Sequence, residues 1–141
     1  MWRVVLDTNI LVGGLRSRRG SSFVILQSVL HRRLCPLVTT ALLLEYEAVL
    51  GRAEHRIVHE LSSVDIERFL SGLSLLAEPV ERHFRWRPQL VDPADEMVLE
   101  TAVNGRADAL ITYNRRHFEF AARRFSLRVL APAELMKGFL S

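Results

Sequence analysis

The sequence predicts an α/β fold in which a central parallel sheet is covered by helices on both faces. Short, apolar, β-branched runs alternate along the chain with longer segments whose apolar residues recur at helical spacing. Nearly half of the residues, 49%, are apolar, which argues against intrinsic disorder. At 141 residues the chain is long enough to bury one core, so we expect a single domain spanning residues 1–141.

The individual elements follow from the same patterns. Strands are predicted at residues 2–6, 35–40, 109–112 and 128–131. Helices are predicted over residues 23–31, 41–50 with Thr40 as N-cap, 52–59, 63–76 and 92–104 with a stop at Asn104-Gly105, and in a short stretch from Pro132. Residues 13–22 (GGLRSRRGSS) are predicted to form a loop, and residues 84–91 (FRWRPQLV) to be irregular.

Composition limits the classes of function. Lys+Arg 19 against Asp+Glu 16 gives a net charge of +3, and Lys137 is the only lysine, so the cations are almost all arginine. Arginine pairs bidentately with phosphate, which suits a nucleic-acid partner, although a GC-rich or heat-adapted source would explain the bias equally well. Cys35 is alone, which excludes an internal disulfide and a cysteine-based metal site. With no leader pattern and no apolar run near ~18 residues, we expect a cytoplasmic protein without a membrane span.

Two acidic positions have open interpretations at this stage. Asp7 ends the first predicted strand, where it either forms a turn with backbone amides, helped by Asn9, or holds a cation. The helix ALLLEYEAVL carries Glu45 and Glu47, and both have apolar neighbours at helical spacing. A carboxylate on a buried stripe needs a partner, but spacing alone does not tell which glutamate faces the core.

Further polar residues fall at the same edge of the predicted sheet. Asp92 and Asp95 flank Pro93 at a helix start, where Asp92 is an expected N-cap and Asp95 opposes the helix dipole. Asp95 also projects toward the inward face of that helix. Thr112 and Asn114 leave the third predicted strand. In a parallel sheet the ligand site lies beyond the carboxyl ends of the strands, which is where these side chains meet Asp7.

Three segments together resemble PIN-domain nucleases, and in particular VapC-like toxins of toxin–antitoxin modules. These segments are VVLDTNILVGGL, VTTALLLEYEAVL and DPADEMVLETAVNGRADALITYNRRHF, in that order, so the resemblance spans about residues 3 to 131. It implies a PIN-like three-layer α/β/α fold with a central parallel sheet of four to five strands. It also implies that Asp7, Glu45 and Asp95 are the catalytic acids, which favours Glu45 over Glu47, with Asp92 as an accessory acid. Asn114 and His117 depart from the pattern, since many members carry an acid at each of these positions.

Carboxylates crowded at a sheet edge repel one another unless a cation compensates. Oxygen ligands of this kind suit Mg²⁺ or Mn²⁺, and the expected metal ligands are Asp7, Glu45, Asp95, Asp92 and Asn114. Zinc would favour His or Cys. The pair His55 and His59 has Arg56 where a metalloprotease would need Glu, so we interpret both histidines as surface residues.

The implied reaction is hydrolysis of RNA phosphodiester bonds, with an antitoxin protein as the restraining partner. The expected substrate-binding residues are Thr8, Asn9, Thr112, Arg16, Arg115 and Arg116, which would surround the acids or contribute a basic rim. Trp86 and Phe84 are candidates for base stacking or for packing. Leu-rich segments at 23–30 and 66–76 indicate a homodimer or higher even oligomer, or an antitoxin groove. The alternative is a degenerate PIN domain that binds nucleic acid or protein without catalysis, which the departures at Asn114 and His117 favour.

Overall fold

The computed structural model describes residues 1–81, 90 and 92–140. In this part of the chain five strands form one sheet: β1 (Trp2–Leu6), β2 (Leu34–Val38), β3 (Glu78–Pro79), β4 (Ala109–Ile111) and β5 (Val129–Leu130). The helices are α1 (Thr8–Arg16), α2 (Ser21–Leu30), α3 (Thr40–Leu50), α4 (Ala53–His59), α5 (Ser63–Leu76), α6 (Pro93–Asn104), α7 (Glu119–Arg124) and α8 (Pro132–Leu135). A 3₁₀ turn covers Arg115–His117, and a π-helical segment covers Met136–Leu140.

The sheet is parallel throughout, with the strand order β3-β2-β1-β4-β5. The chain therefore builds outward from β1 to β3 on one side and then crosses back to add β4 and β5 on the other side. The register pairs Leu6 with Ile111, so β1 and β4 end side by side. Reversal of the building direction at neighbouring strands leaves a crevice at their carboxyl ends, where open α/β sheets bind ligands.

One hydrophobic cluster joins the sheet to its flanking helices, and it includes fully buried residues such as Val4, Val5, Leu42, Leu110 and Leu135. The three-residue strand β4 is completely buried, as is the carboxyl half of β1, which is typical of parallel strands covered on both faces. The α/β/α fold class with four to five parallel strands is therefore confirmed. Among the described residues, no helix has both the length and the apolar character needed to cross a membrane.

The prediction of a loop over residues 13–22 is wrong at its start. Helix α1 continues through Gly13 and Gly14 to Arg16, and only the residues between α1 and α2 are non-helical. A Cβ on Gly14 would lie 2.3 Å from Cδ1 of Leu26, so the missing side chain lets α1 and α2 approach closely. Gly13 and Gly14 therefore allow close helix packing, although the sequence pattern predicts a turn at this position.

Several smaller differences concern helix ends and short elements. The N-cap of α3 is Thr39, whose hydroxyl accepts the amide hydrogen of Leu42 at 3.1 Å, and Thr40 is already helical. Strand β3 and helix α7 were not predicted, and both are short, at 2 and 6 residues. Most of the segment 84–91, predicted to be irregular, lies outside the described residues.

The predicted stop at Asn104-Gly105 is confirmed, but the glycine acts differently from a left-handed cap. Gly105 has φ −83°, and the left-handed residue is Arg106 at φ 51°. A Cβ on Gly105 would lie 2.8 Å from Cγ2 of Val80 and 2.9 Å from Cδ1 of Leu37. Glycine is needed at this position because neighbouring side chains pack against its α-carbon.

We predict opposite effects on stability for two glycine substitutions. Gly14→Ala should lower the free energy of unfolding by about 1–3 kcal/mol, because the new methyl group would collide with Leu26. Gly72→Ala is the matched control, since Gly72 lies inside α5 with no heavy atom within 4 Å of the added Cβ. That variant should gain roughly 0.5–1 kcal/mol from helix propensity. Urea unfolding would measure both, and equal effects of the two substitutions would contradict the close packing of α1 on α2.

Candidate metal centre

A cleft of about 280 Å³ opens at the carboxyl ends of β1 and β4. It brings together seven of the residues that the sequence predicted for the site: Asp7, Thr8, Asn9, Glu45, Asp92, Asp95 and Asn114. Its other lining residues are Val12, Val49, Arg52, His55, Ala94 and His117. The cleft therefore assembles side chains from the start of α1, the middle of α3, the start of α4, the start of α6 and the exit of β4.

Asp7 lies at the bottom of the cleft and is only 4% exposed. Its Oδ1 accepts the amide hydrogen of Thr8 at 2.7 Å, so Asp7 is the N-cap of α1. Its Oδ2 accepts the hydroxyl hydrogen of Thr112 at 2.6 Å. Burial raises the pKa of Asp7 above its usual range, although these two hydrogen bonds oppose the rise. Both interpretations of Asp7 left open by the sequence are thus compatible, because the cap uses one oxygen and the carboxylate still lines the cleft.

Thr112 is completely buried and fixes the geometry beneath the cleft. While its hydroxyl donates to Asp7, its Oγ1 accepts the amide hydrogen of Asn114 at 2.9 Å and an amide hydrogen of Asn9 Nδ2 at 3.4 Å. The hydroxyl thus connects the first residue after β1 to the residues after β4. Its contacts support the orientation of Asp7, and its burial leaves little access for a substrate.

Asp95 occupies the first turn of α6, whose N-cap is Asp92 through a hydrogen bond from the amide of Ala94 at 2.9 Å. The Asp95 side chain is 14% exposed, and its Oδ2 lies 3.2 Å from Nδ1 of His117. Burial, together with the negative charges of Asp7 and Asp92, raises the pKa of Asp95 to about 6, and His117 only partly offsets this rise. The negative charge of Asp7 therefore acts on Asp95 across the cleft.

Helix α3 separates its two glutamates onto different surfaces. Glu45 lines the acidic cleft together with Val49, one turn further along the helix. Glu47 is exposed and lines a separate surface depression with Leu43, Leu44 and residues of α5. Of the two glutamates, it is Glu45 that shares the cleft with Asp7.

Two cleft residues were not anticipated as site residues, namely Arg52 and His55 at the start of α4. The interpretation of His55 and His59 as surface residues is wrong. The His55 side chain is 24% exposed and lines the cleft. His59 is half-buried, where its Nδ1 accepts the amide hydrogen of Leu61 at 2.9 Å and its Nε2 lies 3.0 Å from the carbonyl oxygen of Leu50. The sequence pattern gives no indication that these residues lie near Asp7, because their position depends on how α4 is oriented after α3 in the folded protein.

Two further acids of α6, Glu96 and Glu100, are buried outside the cleft lining. Glu96 accepts the amide hydrogen of Leu90 at 2.6 Å, so it holds the chain that leads into α6. Neither acid was singled out from the sequence.

The predicted basic rim is only partly assembled around the cleft. Arg16 is exposed at the end of α1, and it does not line the cleft. Arg115 and Arg116 line a neighbouring groove, and Arg115 forms an ion pair with Glu134 at 2.6 Å. Among the described residues, Arg52 is the arginine that lines the acidic cleft itself.

The donor set of the cleft fits a hard divalent cation. Carboxylate and amide oxygens predominate. Burial raises the pKa of both Asp7 and Asp95, and neighbouring acids raise that of Asp95 further, so added positive charge would stabilise the charged carboxylates. Within residues 1–81, 90 and 92–140, no three Asp, Glu, His or Cys side chains converge closely enough to hold one ion. Mg²⁺ is commonly held by one or two carboxylates with water completing its octahedron, so a pair of cleft carboxylates is compatible with this ion.

The fold and cleft define a class of proteins with a PIN-like α/β/α architecture and acids at the carboxyl ends of the strands. A sequence model of the PIN domain matches residues 3–116, and the chain belongs to this family. A chain in the crystal structure of VapBC2 from Rickettsia felis bound to a DNA fragment from their promoter has a similar fold, with a TM-score of 0.60 and 16% sequence identity. The alignment covers 92% of this chain and 98% of that chain. No curated protein matches the chain significantly.

We predict that the metal-free protein loses stability as the pH rises between about 4 and about 6, relative to an Asp95→Asn variant. A carboxyl group whose pKa is raised on folding contributes stability below its unfolded pKa, near 4, and loses that contribution as the pH rises through the folded value, about 6. Urea unfolding in EDTA at several pH values would measure the difference between the two proteins. Parallel curves across this window would contradict the raised pKa of Asp95, whereas added Mn²⁺ should stabilise the wild-type chain above pH 6.

Proposed function

We propose that this chain is a Mg²⁺- or Mn²⁺-dependent endoribonuclease and the toxin of a toxin–antitoxin pair. The observation that carries the proposal is the pairing of a buried carboxylate, Asp7, with a partly buried one, Asp95, whose pKa the charge of Asp7 helps to raise, in the cleft of a PIN-family chain. PIN domains are generally nucleases and generally use divalent metals. The residues 1–141 act as one domain in this proposal.

In the proposed site Asp7 and Asp95 would hold the metal, directly or through water, and Glu45, Asp92 and Asn114 would be its further ligands. A divalent ion supplies positive charge that lowers the pKa of a water molecule and offsets the charge that develops on the phosphodiester. Thr112 keeps Asp7 oriented through its hydroxyl, which is the kind of outer contact that fixes a metal ligand. Glu45, which lines the cleft from α3, would complete the ligand set or orient the attacking water.

The other cleft residues have roles toward the substrate. Arg52 pairs with a phosphate oxygen of the substrate, since its guanidinium lines a cleft that otherwise carries acids. Thr8 and Asn9 contribute polar contacts at the start of α1. Arg16 contacts phosphates further along the strand. RNA is the proposed substrate because VapC-like sequences resemble this chain, and the protein's arginine bias suits phosphate recognition.

The proposed partner is an antitoxin protein, and the chain acts in the cytoplasm as a homodimer or higher even oligomer. The similar structure is named as VapBC2, bound to DNA from its promoter. Large apolar side chains are exposed on the Leu-rich segments, with Leu30 at 58% and Leu75 at 86%. Such side chains are available for contacts with an antitoxin or a second copy of the chain.

A noncatalytic binding domain is the second candidate. The absence of a converged three-ligand group among the described residues favours it, as does the neutral Asn114 at the mouth of the cleft. The two candidates differ in one respect: only a nuclease should require both the metal and the acids for RNA cleavage.

We predict metal-dependent RNA cleavage that depends on Glu45 and not on Glu47. Asp7→Asn, Asp95→Asn and Glu45→Gln should each lower the rate by at least about 100-fold, since loss of even an outer partner of a metal ligand costs 10–100-fold. Glu47→Gln is the control, because Glu47 lies on the same helix but on another surface. The measurement is cleavage of a single-stranded RNA with Mn²⁺ and with EDTA. Full wild-type activity in EDTA would refute the metal mechanism, and an inactive Glu47→Gln with a normal Glu45→Gln would reverse the assignment.

A charge added at Asn114 should strengthen metal binding. Asn114 lines the cleft, and an aspartate there would add a negative charge to a site that lacks an acid from this strand exit. We expect Asn114→Asp to bind Mn²⁺ more tightly and to need less metal for half-maximal cleavage, whereas Asn114→Ala should be milder than Asp7→Asn. Calorimetric Mn²⁺ titration beside cleavage at graded metal would test this. No gain in affinity for Asn114→Asp would show that Asn114 does not approach the metal.

A further inference from the structure

A second groove continues from the acidic cleft along the exit of β4. It is lined by Tyr113, Asn114, Arg115, Arg116, His117, Glu119 and Ala131, and its volume is about 350 Å³. Asn114 and His117 line both the groove and the cleft, so the two cavities adjoin. A strand of nucleic acid whose scissile phosphate lies at Asp7 and Asp95 would therefore reach this groove with an adjacent nucleotide.

The Tyr113 side chain is half exposed, at 50%, yet it is anchored at both ends. Its hydroxyl shares a hydrogen bond with the hydroxyl of Ser22, a completely buried residue of α2. Its backbone amide donates to Oδ1 of Asn9 at 3.4 Å, and its Cε2 would lie 3.6 Å from a Cβ on Gly13. The ring is thus held in place before any ligand arrives, which lowers the entropic cost of stacking against it.

The charged residues of the groove determine which of them can bind a phosphate. Arg116 has no ion-pair partner among the described residues, whereas Arg115 is engaged with Glu134. Arg116 is therefore the cation available for a backbone phosphate. Glu119 also lines the groove, and its negative charge disfavours a phosphate next to it.

We propose that Tyr113 is the stacking surface for the nucleotide next to the cleaved bond, with Arg116 contacting its phosphate. This inference rests on the proposed ribonuclease function and adds a subsite for one unpaired base. An exposed aromatic ring stacks on any base, because every base has a π face, and single-stranded nucleic acid is commonly bound in this way. The subsite requires an unpaired base, so the enzyme prefers single-stranded segments over duplexes.

A second exposed aromatic ring in the described part of the chain is a natural control. Phe120 is 85% exposed on α7, but it lines neither cavity. Tyr113→Phe removes only the bond to Ser22 and keeps the ring, whereas Tyr113→Leu removes the ring. A role confined to holding α2 would make the two Tyr113 variants equally damaging. A stacking role would make Tyr113→Leu much the more damaging for substrate binding.

The test uses the full chain, Mn²⁺ and a single-stranded RNA whose cut site has been mapped. Variants of this RNA carry one abasic nucleotide at each of three positions on either side of the cut. Tyr113→Leu should raise KM roughly 10-fold with little change in kcat, as expected for the loss of one stacked base. One abasic position should cause the same loss in the wild-type enzyme and no further loss in Tyr113→Leu. Tyr113→Phe and Phe120→Leu should keep KM within about 2-fold of wild type.

A second measurement does not depend on any variant. The RNA carries 5-iodouridine at the position identified by the abasic series, and the cross-linked residue of the wild-type chain is found by mass spectrometry. A cross-link at Tyr113 supports the proposal, and a cross-link at Phe120 or at Trp86, which lies outside the described residues, overturns it. An unchanged KM in a folded Tyr113→Leu, or equal losses in Tyr113→Leu and Tyr113→Phe, also overturns it while leaving metal-dependent cleavage intact. If wild-type chain cleaves no RNA, the proposed function and this inference fail together.

Discussion

Burial of the Asp7 carboxylate at the carboxyl end of β1 is the constraint on which the rest of the site depends. A charged group that is only 4% exposed must be hydrogen-bonded or compensated. The chain provides two hydrogen bonds, from the backbone of Thr8 and from the hydroxyl of Thr112, and each ties Asp7 to a different element. These bonds orient the carboxylate without neutralising it, so its pKa remains raised and positive charge is favoured nearby.

The starts of two helices supply both capping and site residues. Asp7 caps α1 and Asp92 caps α6, while Asp95 follows in the first turn of α6. Helix N-termini present unpaired amide groups that stabilise carboxylates, which permits acids to lie this close together in a fold without metal. Stability of the two helices and assembly of the acidic cleft therefore depend on the same residues, and the raised pKa of Asp95 reports the repulsion that remains.

The sequence was sufficient to predict the elements that have strong local signals. The buried strands β1 and β4 and the helix start at Asp92-Pro93 follow from short-range patterns, and the order of the acids indicated a shared sheet edge. The choice between Glu45 and Glu47 needed the family resemblance, because α3 is apolar on nearly every side. Arg52 and His55 could not be predicted, since their place in the cleft arises from the corner between α3 and α4. The prediction of a loop at Gly14 was wrong because glycine occurs both where two helices pack closely and where a helix ends, and the sequence alone does not distinguish the two.

Glu78, at the amino ends of the strands, and the acids at the carboxyl ends have opposite pKa shifts. At the amino edge, Asp108 accepts the amide hydrogen of Arg3 at 2.8 Å, and Glu78 forms an ion pair with the guanidinium of Arg3. The hydrogen bond from Arg3 lowers the pKa of Glu78, so this edge is compensated by the protein's own charges. At the carboxyl edge, the pKa values of Asp7 and Asp95 are raised instead, and His117 offsets only part of the effect. Arg3 thus compensates acids at the amino ends of the strands. At the carboxyl ends the negative charges of Asp7 and Asp95 are compensated only in part, so a cation from outside the protein would be stabilised there.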